Sequence, residues 1–154
     1  MRIAVRPGHP LLDNSTKFNK SQAVRLAATV GASWLYMTAH DSSDDIVSRS
    51  FLADGLPLPL PAVHCGSYFV ALDLLASTDM LGVLPPALLR SCMALGHLVE
   101  LILVEPLIPI QLALYTRSGS PPTAATMSAA SAILAISKRM ALTGDLRSTA
   151  PLKI

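Results

Sequence analysis

The chain has 154 residues, of which 51% are apolar and 14% are charged, and its formal net charge is +2. This apolar content is enough for a folded core and excludes a disordered chain. The length fits one domain, or one and a half small lobes. The basic residues are scattered, with only Lys138 and Arg139 adjacent. We therefore expect no direct contact between this chain and nucleic acid.

The beginning of the chain and its most apolar stretch both argue against a membrane protein. The first residues turn polar before the apolar core of a signal peptide could form. The stretch 98–115 contains Glu100, Glu105 and two prolines, which exclude a membrane span. Cys65 and Cys92 form no C-x-x-C pair, so we expect two buried reduced thiols. A cytoplasmic location is the expectation.

Strands and helices alternate along the predicted chain. Strands are predicted at 2–6, 33–37, 62–65, 80–84, 98–104 and 110–117, and helices at 21–30, 44–53, 68–77, 86–92 and 123–140. This order predicts an α/β fold, with a mainly parallel sheet and helices on both of its faces. The helix at 68–77 is apolar nearly all round, so it should be covered on most sides. The helix at 44–53 should be capped by Ser42 or Ser43.

Two predicted loops join the end of a strand to the beginning of a helix and carry polar side chains. The first contains Thr38, Ala39, His40, Ser42 and Ser43, and the second contains His64, Cys65, Gly66 and Ser67. In a parallel sheet, ligands bind at the carboxyl ends of strands, where helix N-termini offer free N–H groups to anions. We expect both loops at one edge of the sheet, either as a ligand site or as ordinary helix caps.

Motifs for catalysis and for cofactor binding were sought and were not found. The glycines give neither G-x-G-x-x-G nor a P-loop, and no G-x-S-x-G elbow is present. None of the four histidines has a second histidine or a cysteine three or four residues away, so the common helical His/Cys ligand pairs are missing. His64 and Cys65 are strand neighbours, which point to opposite faces and do not make a catalytic pair. We therefore expect no catalytic residue, no cofactor and no enzyme activity.

Four motifs in order resemble the effector-binding domain of LysR-type transcriptional regulators. The segment VRPGHPL at 5–11 resembles the family's R-x-G-H-P-L turn, and residues 67–85 resemble its helix–strand stretch ending in G-x-G-(I/V)-x-x-(L/V)-P. The segment LVEL at 98–101 resembles the next strand, and residues 110–121 resemble the family's final strand and helix start. The likeness covers residues 1–142, although Thr78 and Asp79 stand where the family usually has a glycine.

The resemblance implies a type II periplasmic-binding-protein-like fold with an incomplete first lobe. Residues 1–104 would be the second lobe, residues 105–142 a strand and helix returning to the first lobe, and residues 143–154 a frayed tail. The last helix should expose an apolar patch. The chain would be a fragment without the family's DNA-binding helix-turn-helix.

The function implied is binding of a small, often anionic, metabolite between two lobes, in a protein that forms homo-oligomers. In the family, the effector closes the cleft and changes the promoter contacts made by other parts of the regulator. Two alternatives stay open. The chain could be a dimerisation or interaction module that modulates full-length regulators, or it could be a solute-binding protein of a transporter.

Overall fold

The computed structural model describes residues 1–13, 23–37, 45–59, 61–110, 113–115, 119 and 121–142. The chain divides into two compact units, residues 1–110 and residues 111–154. The elements of the first unit are, in chain order, β1 (Arg2–Val5), α1 (Pro10–Asp13), a 3₁₀ helix (Leu26–Thr29), β2 (Trp34–Tyr36), α2 (Ile46–Ala53), β3 (Pro61–His64), α3 (Tyr68–Ser77), β4 (Leu81–Leu84), α4 (Pro86–Ala94) and β5 (Val99–Leu101). The second unit contains α5 (Ala124–Leu142).

The five strands form one sheet in the order β3-β2-β4-β1-β5. Strand β2 is parallel to both of its neighbours, with Leu35 beside Gly82 of β4. Strand β1 is antiparallel to β4 and to β5. Four strands therefore run in one direction and only β1 runs against them, so the sheet is mainly parallel, as predicted. Parallel neighbours need crossover helices, which lie on the faces of the sheet.

The core lies on both faces of this sheet because alternate strand residues point to opposite sides. On one face, Trp34 and Phe51 of α2 are fully buried, and their rings meet edge to face at 5.9 Å. On the other face, Leu35 packs with Ala71 and Leu75 of α3 and with residues of α4. The arrangement of helices on both faces follows the sequence prediction.

The segment before β2 differs from its prediction. A helix was expected at 21–30, but the described residues contain only the 3₁₀ helix Leu26–Thr29. Val24 instead lies beside Leu103 in a parallel bridge, and its N–H donates to the Ile102 carbonyl at 2.7 Å. Pairing of the backbone with the segment after β5 replaces the first helical turns. That segment is itself less regular than the predicted strand, since β5 ends at Leu101.

The predicted strand at 110–117 is also absent from the part of it that the structure describes. Ile110 and residues 113–115 are not in a strand. A strand needs a neighbour that accepts its backbone hydrogen bonds. None of the described strand pairings includes Ile110 or residues 113–115. Residues 143–154, predicted as a frayed tail, lie outside the described residues.

Close packing of α3 on β4 requires a glycine at position 82. A Cβ atom at Gly82 would lie 2.8 Å from Cδ1 of Leu75, which is fully buried in α3. Such a distance is well inside van der Waals contact, so the helix approaches the strand only because residue 82 has no side chain. The glycine of the family-like helix–strand stretch therefore has a packing role.

The GHPL turn, residues 8–11, is held against the loop between α3 and β4 by hydrogen bonds and an adjacent ion pair. His9 is 3% exposed, and its Nε2 lies 3.1 Å from the Asp79 carbonyl oxygen, while its Nδ1 accepts the Leu11 N–H at 3.1 Å. These contacts assign the proton to Nε2, which donates to the carbonyl. The Arg6 guanidinium binds the Asp79 carboxylate at 2.7 Å. The Asp79 that departs from the family pattern thus has its own structural partner, Arg6.

The second unit contains one helix among its described residues, α5. The predicted final helix is confirmed as α5, and Thr123 caps it by accepting the Thr126 N–H on its hydroxyl at 3.2 Å. Its apolar residues Met127, Ile133 and Ile136 are exposed, as the sequence predicts for this helix. Neither α5 nor any other helix in the described ranges is long and apolar enough to cross a membrane.

Candidate functional site

The carboxyl ends of β2 and β3 lie side by side at one edge of the sheet. These strands are parallel, with Tyr36 beside His64. The N–H of Cys65 donates to the Tyr36 carbonyl at 2.8 Å, and the rings of Tyr36 and His64 lie 5.7 Å apart. The two strands that precede the predicted loops therefore end at the same edge, where parallel α/β sheets bind ligands.

The first predicted loop cannot be placed at this edge residue by residue. Its site residues, Thr38, Ala39, His40, Ser42 and Ser43, lie outside the described residues. The flanking residues Met37 and Asp45 are described, and they mark where the chain leaves β2 and where it enters α2.

The cap of α2 differs from the prediction. Ser42 or Ser43 was expected as the N-cap, but the N-cap is Asp45. One carboxylate oxygen of Asp45 accepts the N–H groups of Val47 and Ser48 at 2.6 and 3.1 Å, and the other accepts the Ser48 hydroxyl. The carboxylate satisfies two free amides of the first turn and favours the positive end of the helix dipole. An aspartate side chain is short, so it reaches these amides only from the position immediately before the helix.

Tyr36 lies beside this cap, and its hydroxyl group is buried. The residue is 9% exposed, and its hydroxyl has no hydrogen-bond partner among the described residues. Burial raises the pKa of Tyr36 above its ordinary value, while the nearby Ser48 hydroxyl acts to lower the pKa and the Asp45 carboxylate acts to raise it. The raised pKa keeps the hydroxyl protonated at neutral pH.

The second predicted loop is described in full and lies at the expected edge. His64 is exposed at the end of β3, and Cys65 is half-buried, where the sequence predicted a buried thiol. The Cys65 thiol donates to the Ser67 carbonyl at 3.2 Å. Ser67 is the N-cap of α3, but its hydroxyl makes no capping hydrogen bond. Both the Ser67 hydroxyl and the first amides of α3 thus lack a side-chain cap.

The structure adds three residues that sequence reasoning did not select: Tyr36, Asp45 and Ser48. A signal was present for Tyr36, because it is the last aromatic residue of a strand that runs into a polar loop. Asp45 was assigned to the first turn of the helix and not to its cap. Ser48 carries no sequence signal, since a serine inside a helix is usually unremarkable.

The described residues at the ends of β2 and β3 offer hydrogen-bonding groups, and they do not form a metal site. Among the described residues no three His, Cys, Asp or Glu side chains lie close enough to hold a metal ion. A separate cavity of about 370 Å³ lies elsewhere, lined by Phe69, Leu72, Asp73, Ala76, Cys92, His97 and Leu98. None of the predicted site residues lines this cavity.

The outer surface of α3 contradicts the prediction that this helix is covered on most sides. Only Ala71 and Leu75 are buried, while Tyr68, Phe69 and Val70 are 50%, 88% and 52% exposed. The first unit has a single layer of helices on this face, so nothing lies over the outer side of α3 within the described part of that unit.

Comparison with known proteins places this fold in a family. No curated protein matches the sequence. Among solved structures, the chain is similar to the probable transcriptional regulator PA0477 from Pseudomonas aeruginosa, with 22% sequence identity and a TM-score of 0.50. The match covers 70% of this chain and 33% of that chain, so this chain spans about a third of the length of the solved protein.

The sequence profile of one family covers most of the chain. The LysR substrate binding domain matches residues 1–135. Together with the solved structure, this match confirms the predicted type II periplasmic-binding-protein-like α/β fold, which is incomplete relative to the solved chain. Membership of this family indicates a regulatory binding domain. The chain belongs to the family of LysR substrate binding domains.

Proposed function

We propose that the chain binds a small-molecule effector at the carboxyl edge of its sheet, as part of a LysR-type regulator. The observation that carries the proposal is the meeting of the ends of β2 and β3, where the rings of Tyr36 and His64 lie 5.7 Å apart. Two strand-to-helix loops leave this edge together. The proposed site residues are Thr38, Ala39, His40, Ser42 and Ser43 of the first loop and His64, Cys65, Gly66 and Ser67 of the second.

The second loop supplies the anion-binding part of this proposed site. The first amides of α3 have no side-chain cap, and the Ser67 hydroxyl is unused by the helix. Free amides at a helix N-terminus, together with the dipole of the helix, suit a carboxylate or phosphate group. An often anionic metabolite therefore fits this end.

Thermal-shift measurement of the chain against a panel of amino acids, hydroxy acids and aromatic carboxylates tests the proposal. A compound that binds only the folded state stabilises it by RT ln(1 + [L]/Kd), so the melting temperature rises with the logarithm of its concentration once this exceeds Kd. The variant Ser67→Ala, at an exposed position, should weaken the shift, whereas Ser91→Ala on α4 should leave it unchanged. Absence of any stabilising compound, or equal shifts in both variants, would contradict the proposal.

A second candidate function is self-association, and the exposed apolar face of α3 favours it. Phe69 is 88% exposed, and its neighbours Tyr68 and Val70 are about half-exposed. Apolar side chains therefore face solvent at the first turn of α3. Contiguous apolar surface of this kind marks interaction sites in many proteins. In this reading a second copy, or a longer regulator with the same domain, covers the outer side of α3.

Size-exclusion chromatography with light scattering distinguishes this second candidate. Phe69→Asp should convert a dimer to a monomer without unfolding it, because the side chain is almost fully exposed. Leu52→Asp is the matched control, since Leu52 is 55% exposed on α2, on the opposite face of the sheet. A wild-type chain that is monomeric at high concentration, or a dimer that survives Phe69→Asp, would count against self-association through α3.

A further inference from the structure

The cavity of about 370 Å³ beside α3 is built from one face of that helix and from the turn that follows α4. The α3 residues that line it follow the spacing i, i+3, i+4 and i+7, which places them on one side of a helix. They are Phe69, Leu72, Asp73 and Ala76. The rest of the lining comes from Cys92 of α4 and from His97 and Leu98, which lead into β5. All of these residues belong to the first unit.

The turn that forms the second wall has a defined conformation. Leu95 is the C-cap of α4, and Gly96 follows it with a φ of 73°, in the left-handed region. The Gly96 N–H donates to the Met93 carbonyl at 3.0 Å, and the His97 N–H donates to the Cys92 carbonyl at 3.0 Å. These two hydrogen bonds form the Schellman motif that ends many helices. The motif holds the backbone of His97 against the last turn of α4, so this wall is part of the fold.

The base of the cavity is apolar and its mouth is polar. Leu98 and Cys92 are 1% and 7% exposed, and both belong to the core on this face of the sheet. Asp73 and His97 are exposed. A carboxylate and an imidazole therefore lie where a ligand would meet solvent. Small-molecule sites combine apolar walls with a few polar groups in volumes of about 300–1,000 Å³, and this cavity lies at the small end of that range.

The charge around the cavity favours a cation. Among the residues that line it, Asp73 is the one with a formal charge at pH 7. The C-terminal end of α4, at Cys92 to Leu95, adds the partial negative charge of a helix dipole. Both contributions attract an ammonium group and repel a carboxylate. Because the carboxylate is exposed and solvent screens it, burial of apolar surface supplies most of the binding and the charge selects the ligand.

We propose that this cavity is a binding site for a small amine with an aromatic or branched aliphatic body. The body covers Leu98 and Cys92, and the ammonium group donates to the Asp73 carboxylate at the mouth. The site goes beyond the proposed function, since it shares no residue with the proposed effector site at the ends of β2 and β3. A bound amine also covers the Cys92 thiol, so the reactivity of this thiol reports whether the cavity is occupied.

The test measures how fast methyl methanethiosulfonate labels the two cysteines of the full chain, with each cysteine quantified by mass spectrometry. The amine is 2-phenylethylamine, and phenylacetate is the matched anion with the same ring. The amine should protect Cys92 and leave Cys65 as reactive as before, because Cys65 lies at the end of β3. Half-maximal protection should need about tenfold less amine than phenylacetate, as expected for a hydrogen bond between charged groups.

A matched pair of variants tests the role of the carboxylate. Asp73→Asn, at an exposed position of α3, should reduce the preference for the amine to less than about twofold. Asp54→Asn removes another exposed carboxylate, at the C-cap of α2, and should leave the preference unchanged. A preference that survives Asp73→Asn overturns the proposal, and so does equal protection by the amine and by phenylacetate.

Three further outcomes overturn it as well. If Cys92 does not react in the free chain while Cys65 does, the cavity is closed to small molecules. If the amine protects Cys65 in place of Cys92, the amine binds at the edge of β2 and β3. If protection of Cys92 rises with protein concentration in the absence of amine, the occupant of the cavity is a second copy of the chain.

Discussion

The ring of Tyr36 lies 5.7 Å from the imidazole of His64, tilted by 39°, and this contact joins the ends of two parallel strands. Tyr36 is buried and His64 is exposed, so the pair extends from the core to the surface of the candidate site. The same tyrosine carries a hydroxyl without a partner among the described residues. The edge of the sheet where a ligand is proposed to bind thus includes a buried polar group at the end of β2.

Removing the Tyr36 hydroxyl should stabilise the chain without ligand. A buried unpaired hydroxyl costs about 1–3 kcal/mol of desolvation, and phenylalanine keeps the ring in place. We expect Tyr36→Phe to raise the free energy of unfolding in urea by about 1 kcal/mol. Tyr115→Phe is the control, because Tyr115 is 87% exposed. A loss of stability of similar size in Tyr36→Phe would show that the hydroxyl has a native hydrogen bond, with Ser48 as the nearest candidate.

The pH dependence of stability should change in the same variant. Burial raises the pKa of Tyr36 above its ordinary value of 10.0. A group whose pKa is higher in the folded state than in the unfolded state stabilises the fold below the unfolded pKa, and this contribution is lost as pH rises. Above pH 10.0, wild type should therefore lose stability faster than Tyr36→Phe. A difference between the two proteins that stays constant from pH 8 to pH 11 in urea unfolding would refute this.

The contact between Gly82 and Leu75 should be visible in a double-mutant cycle. Gly82→Ala places a methyl group where Leu75 lies, so it should cost about 1–3 kcal/mol. Leu75→Ala leaves a cavity and should cost about 2–5 kcal/mol. Because the smaller side chain makes room for the methyl group, the double variant should lose less stability than the sum of the two.

Gly31→Ala is the matched control for this cycle. A Cβ atom at Gly31 meets nothing within 4 Å, and its φ angle is not in the left-handed region. Its effect on the free energy of unfolding should be small. Strict additivity of Gly82→Ala and Leu75→Ala would mean that the helix does not depend on this glycine for its close approach.

His9 should matter more to stability than the ion pair beside it. His9→Ala removes two hydrogen bonds of a buried ring and should cost about 1–3 kcal/mol. Asp79→Asn removes a charge pair at the surface and should cost less than about 1 kcal/mol, because solvent screens it. His97→Ala at an exposed position is the control for histidine loss. A larger loss in the free energy of unfolding for Asp79→Asn than for His9→Ala, measured in urea, would contradict the stabilising role of His9 in the GHPL turn.

The sequence predicted correctly those elements for which the apolar periodicity and the flanking residues indicate the same boundaries. The ends of α3 lie where they were predicted, after Ser67 and before Thr78, and the Thr78 hydroxyl donates to the Leu74 carbonyl at the C-terminal end. The helix expected at 21–30 did not form as predicted, because pairing of Val24 with Leu103 is a tertiary contact between distant segments. Local spacing contains no information about such a partner.

The sequence predicted the meeting of the two strand ends better than the side chains that lie there. The expectation that the strand ends meet at one edge follows from parallel topology, and the adjacency of Tyr36 and His64 agrees with it. The identity of the α2 cap was wrong because several capping residues stand in a row from Ser42 to Asp45, and the sequence does not say where the helix begins. The burial of the Tyr36 hydroxyl becomes visible only in the folded structure.

The measurement that tests the central claim most directly is the mapping of a bound metabolite on the ¹⁵N-labelled chain. The compound that gives the strongest thermal shift should change the chemical shifts of the amide signals of residues 64–67. These changes should saturate with the Kd found by calorimetry. Shifts confined to the residues that line the cavity beside α3, or to the opposite edge around Arg6, His9 and Asp79, would contradict the account.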